Sequence, residues 1–547
     1  MKLIQLSLIL ITSIGIQACN DNGSEASASA SAPTNLTYIS DYAEIINGDS
    51  LTYGQNVAAS DDGQFVAVST PLEWNNCNAN VVTDTLTCTL MLNPSGAVHM
   101  YQRDFDTNPI LLLKPNESQT NEAQFGHRVS MTADGMWLAV AAPLDSLTGT
   151  NCQGIISDYA TDCTGVATSG DDGYQAGAIY LFKRVNAEKT WKLHQIIKQE
   201  HAQDPAFIEY RFGAEIAFSR DGTTFVVGRK AENLPTATDV TSTDQPTTVS
   251  STVHDYGILY VYSFKPSQGM MGFRRTVTRQ QTQNMGQWLH SGESEILVSS
   301  SKSIALINSD SLELQELIFT DDNVALNNLS LTFDETNEMI YRHGKLYIGV
   351  PTLNSDCAGV INANHLPNDK ANVQACLNNN RSGADSGAVL VYEFPIDANN
   401  AVQPTLTEII LQETPIPNNK FGRSLTVSED GKQLFIGHND DKDCTGIIKS
   451  LDDDCANASS VTDAGAIQQY TQTDGTWIKT DFIKPTSIKS VITPDFGDHL
   501  RAFQFKHQFF FSSVMTDLCP GITNEDNKDS CSKASVINGL VTHYEIQ

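Results

Sequence analysis

The chain has 547 residues, only 18% of them charged, and 64 acidic residues against 34 lysines and arginines give it a net charge of −30. That balance excludes nucleic acid as a partner and disfavours docking on anionic lipid headgroups, because both need basic stripes. Short β-branched and aromatic runs between turn residues, with no sustained 3.6-residue period, predict an all-β body.

The first element is a leader. Lys2 supplies a positive start, and the apolar run Leu3 to Ile16 has the length of a signal-peptide core and is too short to span a bilayer. It ends in Ile16-Gln17-Ala18-Cys19, which resembles the lipobox of bacterial lipoproteins, although Gln17 stands where a small residue is usual. The resemblance implies that residues 1–18 are removed and that Cys19 carries a lipid. Ordinary cleavage after Ala18 would leave a free thiol, but Ile16 suits that site poorly. Residues 20–35 (NDNGSEASASASAPTN) lack core-forming side chains, so 19–35 reads as a lipidated flexible tether. No other segment is apolar enough to span a bilayer, so the expected location is the outer membrane, on its periplasmic or exterior side, held through lipid alone.

Residues 36–547 read as one propeller built from a repeat. An aromatic-glycine pair opens each clear unit, at Tyr53-Gly54, Phe125-Gly126, Phe212-Gly213 and Phe421-Gly422. A Ser/Thr-x-Asp-Gly turn follows: Ser60–Gly63, Thr132–Gly135, Ser219–Gly222 and Ser428–Gly431. A second signature comes after a variable connection, as in SGAVHMYQR from Ser95, AGAIYLFKR from Ala176, YGILYVYSF from Tyr256, SGAVLVYEF from Ser386 and AGAIQQY from Ala464. One unit is therefore a four-stranded meander, A to D, with a tight hairpin between A and B.

Three weaker units complete seven. One has strands near Glu295–Ser300, Ser303–Ile307 and Leu312–Ile318, and one has Leu331–Asp334 as its A strand and Lys345 onward as B. The last runs from Phe496-Gly497 to GLVTHYEIQ at the end and lacks a D strand. Tyr38–Ile46, within 36–46, looks like a D strand without A, B or C. The predicted fold is thus an all-β, seven-bladed propeller of antiparallel blades, closed by an N-terminal strand that removes the open edge.

Aromatic-glycine followed by small-small-Pro, as in Phe125-Gly126 with Ala141-Ala142-Pro143 and Tyr53-Gly54 with Ser69-Thr70-Pro71, resembles the FG-GAP repeat of integrin α-chain propellers and bacterial envelope proteins. The resemblance covers nearly the whole chain after the tether and implies ligand binding on one face. Family hairpins of Asp-x-Asp-x-Asp-Gly type hold calcium. The hairpins here carry one or two acids each, too few oxygens for a calcium cage.

Cys19 apart, ten cysteines form close pairs: Cys77/Cys88, Cys152/Cys163, Cys357/Cys376, Cys444/Cys455 and Cys519/Cys531. Each pair falls between the B and C strands of one unit. In an exported chain five local disulfides follow, whereas zinc lacks a Cys-x2-Cys or histidine cluster. The six long B–C connections hold 25 acids and 7 bases, so −18 of the net charge lies there. The densest patch is Asp440, Asp441, Asp443, Asp452, Asp453 and Asp454. It reads first as a solvated acidic loop and second as a weak site for a divalent cation such as calcium; no other cofactor is expected.

No nucleophile elbow, His-Glu-x-x-His or P-loop is present. His499, His507 and His543 gather in the last unit without a nucleophile and read as packing or surface residues. The expected function is a non-catalytic binding, adhesion or scaffold module for an envelope protein or glycan, working through the face that bears the long loops. The alternative is a hydrolase or lyase acting on polysaccharide.

Overall fold

The computed structural model describes residues 36–43, 53–73, 81–82, 95–103, 109–114, 123–149, 152–166, 175–185, 191–199, 211–229, 257–265, 267, 269–277, 286, 288–291, 295–299, 304–308, 314–317, 338–355, 357–362, 385–393, 404–413, 416–438, 446–448, 465–484, 501–505, 508–513, 516–518, 521–523, 535–537 and 540–546. Among them are seven antiparallel sheets of four or five strands, two small two-stranded ladders and one short helix, Tyr159–Asp162. The protein is a β-propeller. Its innermost strands neighbour one another in a closed cycle: Val57–Ala59, Arg128–Met131, Phe212–Phe218, Trp288–Ser291, Met339–Arg342, Ser424–Val427, Arg501–Phe505, and back to the first.

The burial of the strands explains why they read as nearly continuous apolar runs. In the second sheet, every residue of Trp137–Ala142 is buried. Leu138, Val140 and Ala142 pack with Phe65, Ala67 and Val98 of the first sheet. Trp137, Ala139 and Ala141 point the other way, onto Phe212, Phe225 and Tyr262 of the third. Period-2 alternation thus sends a strand's side chains into two different sheet interfaces, and both are dry. A bulge recurs between strands C and D, after Leu181, Val261, Val391 and Gln468. Bulges of this kind raise the local twist, which suits blades fanning around an axis.

Closure occurs at the expected place with shifted bounds. Leu36–Ala43, rather than Tyr38–Ile46, forms the fourth strand of the seventh sheet and pairs antiparallel with Leu540–Ile546. Tyr42 is its anchor. The ring is fully buried among Tyr53, Val68 and Tyr101 of the first sheet and Phe510 and Val541 of the seventh. The strand therefore bonds to the last sheet while its side chain packs on the first.

One strand assignment is corrected. The A strand of the fifth sheet is Met339–Arg342, not Leu331–Asp334, which lies outside the described residues. Its hairpin into Lys345–Val350 turns on His343 and Gly344, at φ +50° and +71°. Two successive left-handed residues are what a two-residue hairpin between twisted strands requires.

The B–C connections also contribute to the sheets. In five sheets, a short segment of that connection returns to the rim and pairs outside strand D: Val81–Val82, Ile155–Ile156, Val360–Asn362, Gly446–Ile448 and Gly521–Thr523. Each of these segments lies between the two cysteines of one pair. In the third and fourth sheets, whose connections have no cysteines, the order among the described residues ends at strand D. A bare edge strand invites pairing with other chains. The cysteine-bracketed segments cover that edge in five sheets.

Candidate functional site

The A–B turns use their acids internally. In the first turn, the Ser60 hydroxyl donates to Asp62 Oδ1 at 2.6 Å, and the same oxygen accepts from the Gln64 amide at 3.0 Å. Thr132–Asp134, Ser219–Asp221 and Ser428–Asp430 repeat the contact. For Asp221, burial favours the neutral acid, but the Ser219 and Thr223 donors outweigh it and hold the carboxyl below its ordinary value. These carboxylates fasten turns.

The variable second position of the same turn has a different use. Arg220, in the third sheet's turn, places Nη2 3.4 Å from Asp61 Oδ2 and 3.0 Å from Glu429 Oε1. Asp61 and Glu429 occupy the same position in the first and sixth turns. One guanidinium thus ties three turns across the axis. Each pair is partly exposed and contributes little energy by itself. Its effect is to narrow the axial opening on the A–B side.

Above this tie lies a cavity of about 180 Å³, walled by the innermost strands of the first to fifth sheets. On its wall Arg128 pairs with Glu215 of the neighbouring inner strand, with Nε 2.9 Å from both carboxylate oxygens. The guanidinium also lies 5.7 Å from the centre of the Trp288 ring. Glu338 accepts the Leu425 amide at 2.9 Å. The loss of solvent around His290, with Arg342 nearby, pushes that imidazole down to about 3, so it is neutral at ordinary pH.

The start of the second B–C connection is pinned by a buried charge cluster. Asp145 is fully buried and lies 2.6 Å from Lys114 Nζ and 3.1 Å from Lys198 Nζ. It also accepts the Tyr180 hydroxyl at 2.8 Å and the Leu147 amide at 2.8 Å. Burial alone would raise its pKa, but the two ammonium groups outweigh that and hold the carboxyl well below the usual range. Burial lowers Lys198, and Asp145 opposes the shift. The first sheet has a parallel device at the same place, where Glu73 meets His99 Nε2 at 2.6 Å.

The cysteine pairs can be placed in part. Cys152 and Cys163 form a disulfide with Cα atoms 4.9 Å apart, and the Ile155–Ile156 edge segment lies between them. Cys357 is also disulfide-bonded. Cys19, Cys77, Cys88, Cys376, Cys444, Cys455, Cys519 and Cys531 lie outside the described residues. So do Asp440, Asp441, Asp443, Asp452, Asp453 and Asp454, with His499 and His507. Among the described residues no cluster of three or more His, Cys, Asp or Glu has metal-binding geometry, and no helix is long and apolar enough to cross a membrane. His543 is buried packing: its ring stacks on Phe510 at 4.3 Å and reaches the Tyr42 hydroxyl at 3.3 Å.

Sequence reasoning missed Arg128, Glu215, Arg220 and the Asp145 cluster. Lys114 and Lys198 did leave a trace, since each ends an apolar run, LLLK and IIK.

No known family model matches the chain, and no curated protein matches it. Several solved β-propeller structures are similar to it. Sqt1 of Saccharomyces cerevisiae overlaps 92% of this chain and 99% of its own, at 10% identity and a TM-score of 0.39. A 6-phosphogluconolactonase-like protein from Bacteroides uniformis overlaps 82% and 97%, at 12% identity and a TM-score of 0.39. TolB from Acinetobacter baumannii overlaps 77% and 64%, at 9% identity and a TM-score of 0.29. The propeller assignment stands on the sheets themselves.

Proposed function

We propose that the chain is a lipid-anchored, seven-bladed FG-GAP-type propeller of the bacterial envelope that binds an envelope protein or glycan through its B–C connections. One observation carries the reading: the edge segments on five sheets all lie within cysteine-bracketed connections. Long loops on a rigid scaffold bind without paying for their own ordering when they are held in place. A disulfide and a strand pairing do that here for Cys152–Cys163. The negative charge of these connections suits a basic surface or divalent cations bridging to an acidic one.

The alternative, cleavage of a polysaccharide, has one observation in its favour: Glu215, Glu338 and Trp288 wall the axial cavity. Arg128 already holds both oxygens of Glu215, and Glu338 accepts a backbone amide. Neither carboxylate is poised as a free acid or base. A glycan and envelope-protein array probed with the Cys19→Ser chain separates the readings. Saturable binding without turnover supports the platform; turnover of any glycan supports the enzyme and ends the platform reading.

A further inference from the structure

We propose that the rim of the third sheet is a second interaction surface, where the outer strand Met270–Val277 accepts an acidic, extended segment of a partner protein as an added strand. Two independent observations meet at this edge. The first is structural. Five sheets carry an extra segment outside strand D, and each such segment belongs to a cysteine-bracketed connection. Among the described residues the third sheet ends instead on Met270–Val277, an eight-residue strand. A strand of that length presents a row of outward backbone donors and acceptors, which is the template used in strand addition.

The second observation is charge. The chain contains no Asp or Glu between Asp255 and Glu293, although its net charge is −30. Within that stretch Lys265 ends the neighbouring strand, and Arg274 and Arg275 belong to the edge strand itself. Arg274 is exposed, and its Nε donates to Ser263 Oγ at 2.9 Å, which ties the side chain to the neighbouring strand. A basic edge on an acidic protein attracts an acidic segment, and the acidic remainder of the surface disfavours that segment elsewhere. Among the described residues the fourth sheet also ends at strand D, Leu314–Leu317, but that strand is half as long, contains Glu316 and follows Glu313 in sequence. It would repel the same segment. The third-sheet rim is therefore the favoured edge.

The strand Met270–Val277 is not itself part of a B–C connection, so either reading can fail without the other. The test uses the full chain and a synthetic peptide alternating valine with glutamate, with a valine–lysine peptide as control. Hydrogen exchange should slow at the Met270–Val277 amides when the acidic peptide is added, and binding should weaken as salt rises. Arg274→Glu with Arg275→Glu should weaken it about tenfold or more, and Arg274→Gln with Arg275→Gln by less. A melting curve matching the parent shows that each variant is folded. The proposal is overturned if the acidic peptide does not bind, or if it binds both variants like the parent. It is equally overturned if these amides are already as protected in the free chain as those of Ile258–Lys265, since the edge would then be covered by the chain itself. Edge-to-edge association of two copies in place of peptide binding would also contradict it.

Discussion

Gly177 sits directly against the backbone of Phe212: a Cβ at Gly177 would lie 2.2 Å from the Phe212 carbonyl oxygen. The first residue opens a C strand in the second sheet, and the second opens the third sheet. They form a parallel bridge, and the Phe212 amide donates to the Ala176 carbonyl at 3.2 Å. Gly96 meets Phe125 and Gly387 meets Phe421 in the same way, at 2.1 Å each. The two repeat signatures, aromatic-glycine and small-glycine-alanine, are thus the two halves of one joint between consecutive sheets. Gly177 also has φ +84°. Gly177→Ala should therefore cost on the order of 2–4 kcal/mol from the clash and the strained backbone. A urea titration reads this directly, and a loss under about 0.5 kcal/mol would remove the joint from the account.

Asp145 is the counter-charge for two buried lysines. Asp145→Asn would remove the anion between Lys114 and Lys198 and should cost about 3–5 kcal/mol. Tyr180→Phe, which removes only one donor to the carboxylate, should cost about 1 kcal/mol. The folded carboxyl titrates below its unfolded value near ~4. Its contribution is therefore present above about pH 4 and lost as pH falls further. Comparing acid denaturation of the parent with Asp145→Asn isolates that loss.

The closing seam carries its own pH dependence. Gln508 Oε1 can only accept, so His543 donates to it from Nε2, and Nδ1 accepts the Tyr42 hydroxyl. That arrangement needs a neutral ring, and burial, with Arg103 nearby, pushes His543 down to about 3. The unfolded chain takes up this proton near pH ~6.5 and the folded chain does not. Stability from this group is full above about 6.5 and falls as pH drops toward 3, by at most about 5 kcal/mol. His543→Gln should flatten the slope over that window. An unchanged slope would mean that the histidine is not the seam's titrating group.

The disulfide of the second sheet predicts a local effect larger than its global one. Cys152 and Cys163 are 11 residues apart, so replacing both with serine should cost about 3 kcal/mol in the loop-entropy picture. Hydrogen exchange should accelerate first at Ile155, Ile156 and their partners Ile196 and Ile197. If those amides keep their protection while the whole ring is destabilised, the disulfide is not what holds the edge segment.

Much of this fold was readable because one physical rule repeats. Phe-Gly, Asp-Gly and small-Gly-Ala sit at turns and joints where only particular backbones fit, so they survive in clear copies such as Phe125-Gly126 and Gly177. The unpaired outer strand near Tyr38 was visible because the last unit lacked one. The edge segments were not visible, since Val81–Val82 and Ile155–Ile156 are two residues long and no periodicity shows at that length. The fifth inner strand was misplaced because Leu331–Asp334 carries the apolar-then-acid pattern of the other A strands, while the hairpin turns on His343-Gly344. Arg128 and Glu215 are 87 residues apart, and only the packing of neighbouring inner strands brings them together. Lys114 and Lys198 lie just past the D strands of the first and second sheets, and their shared anion, Asp145, comes from the second sheet's B–C connection, 31 residues after one and 53 before the other.

The most direct test of the account compares partner binding before and after the loop disulfides are reduced under conditions where the ring stays folded. A ligand identified on the array is titrated against both forms, with thermal unfolding recorded alongside. If the cysteine-bracketed connections are the binding platform, reduction should weaken binding about tenfold or more while the unfolding transition remains cooperative. Equal affinity in the two forms, with faster exchange confirmed at Ile155 and Ile156, would contradict it.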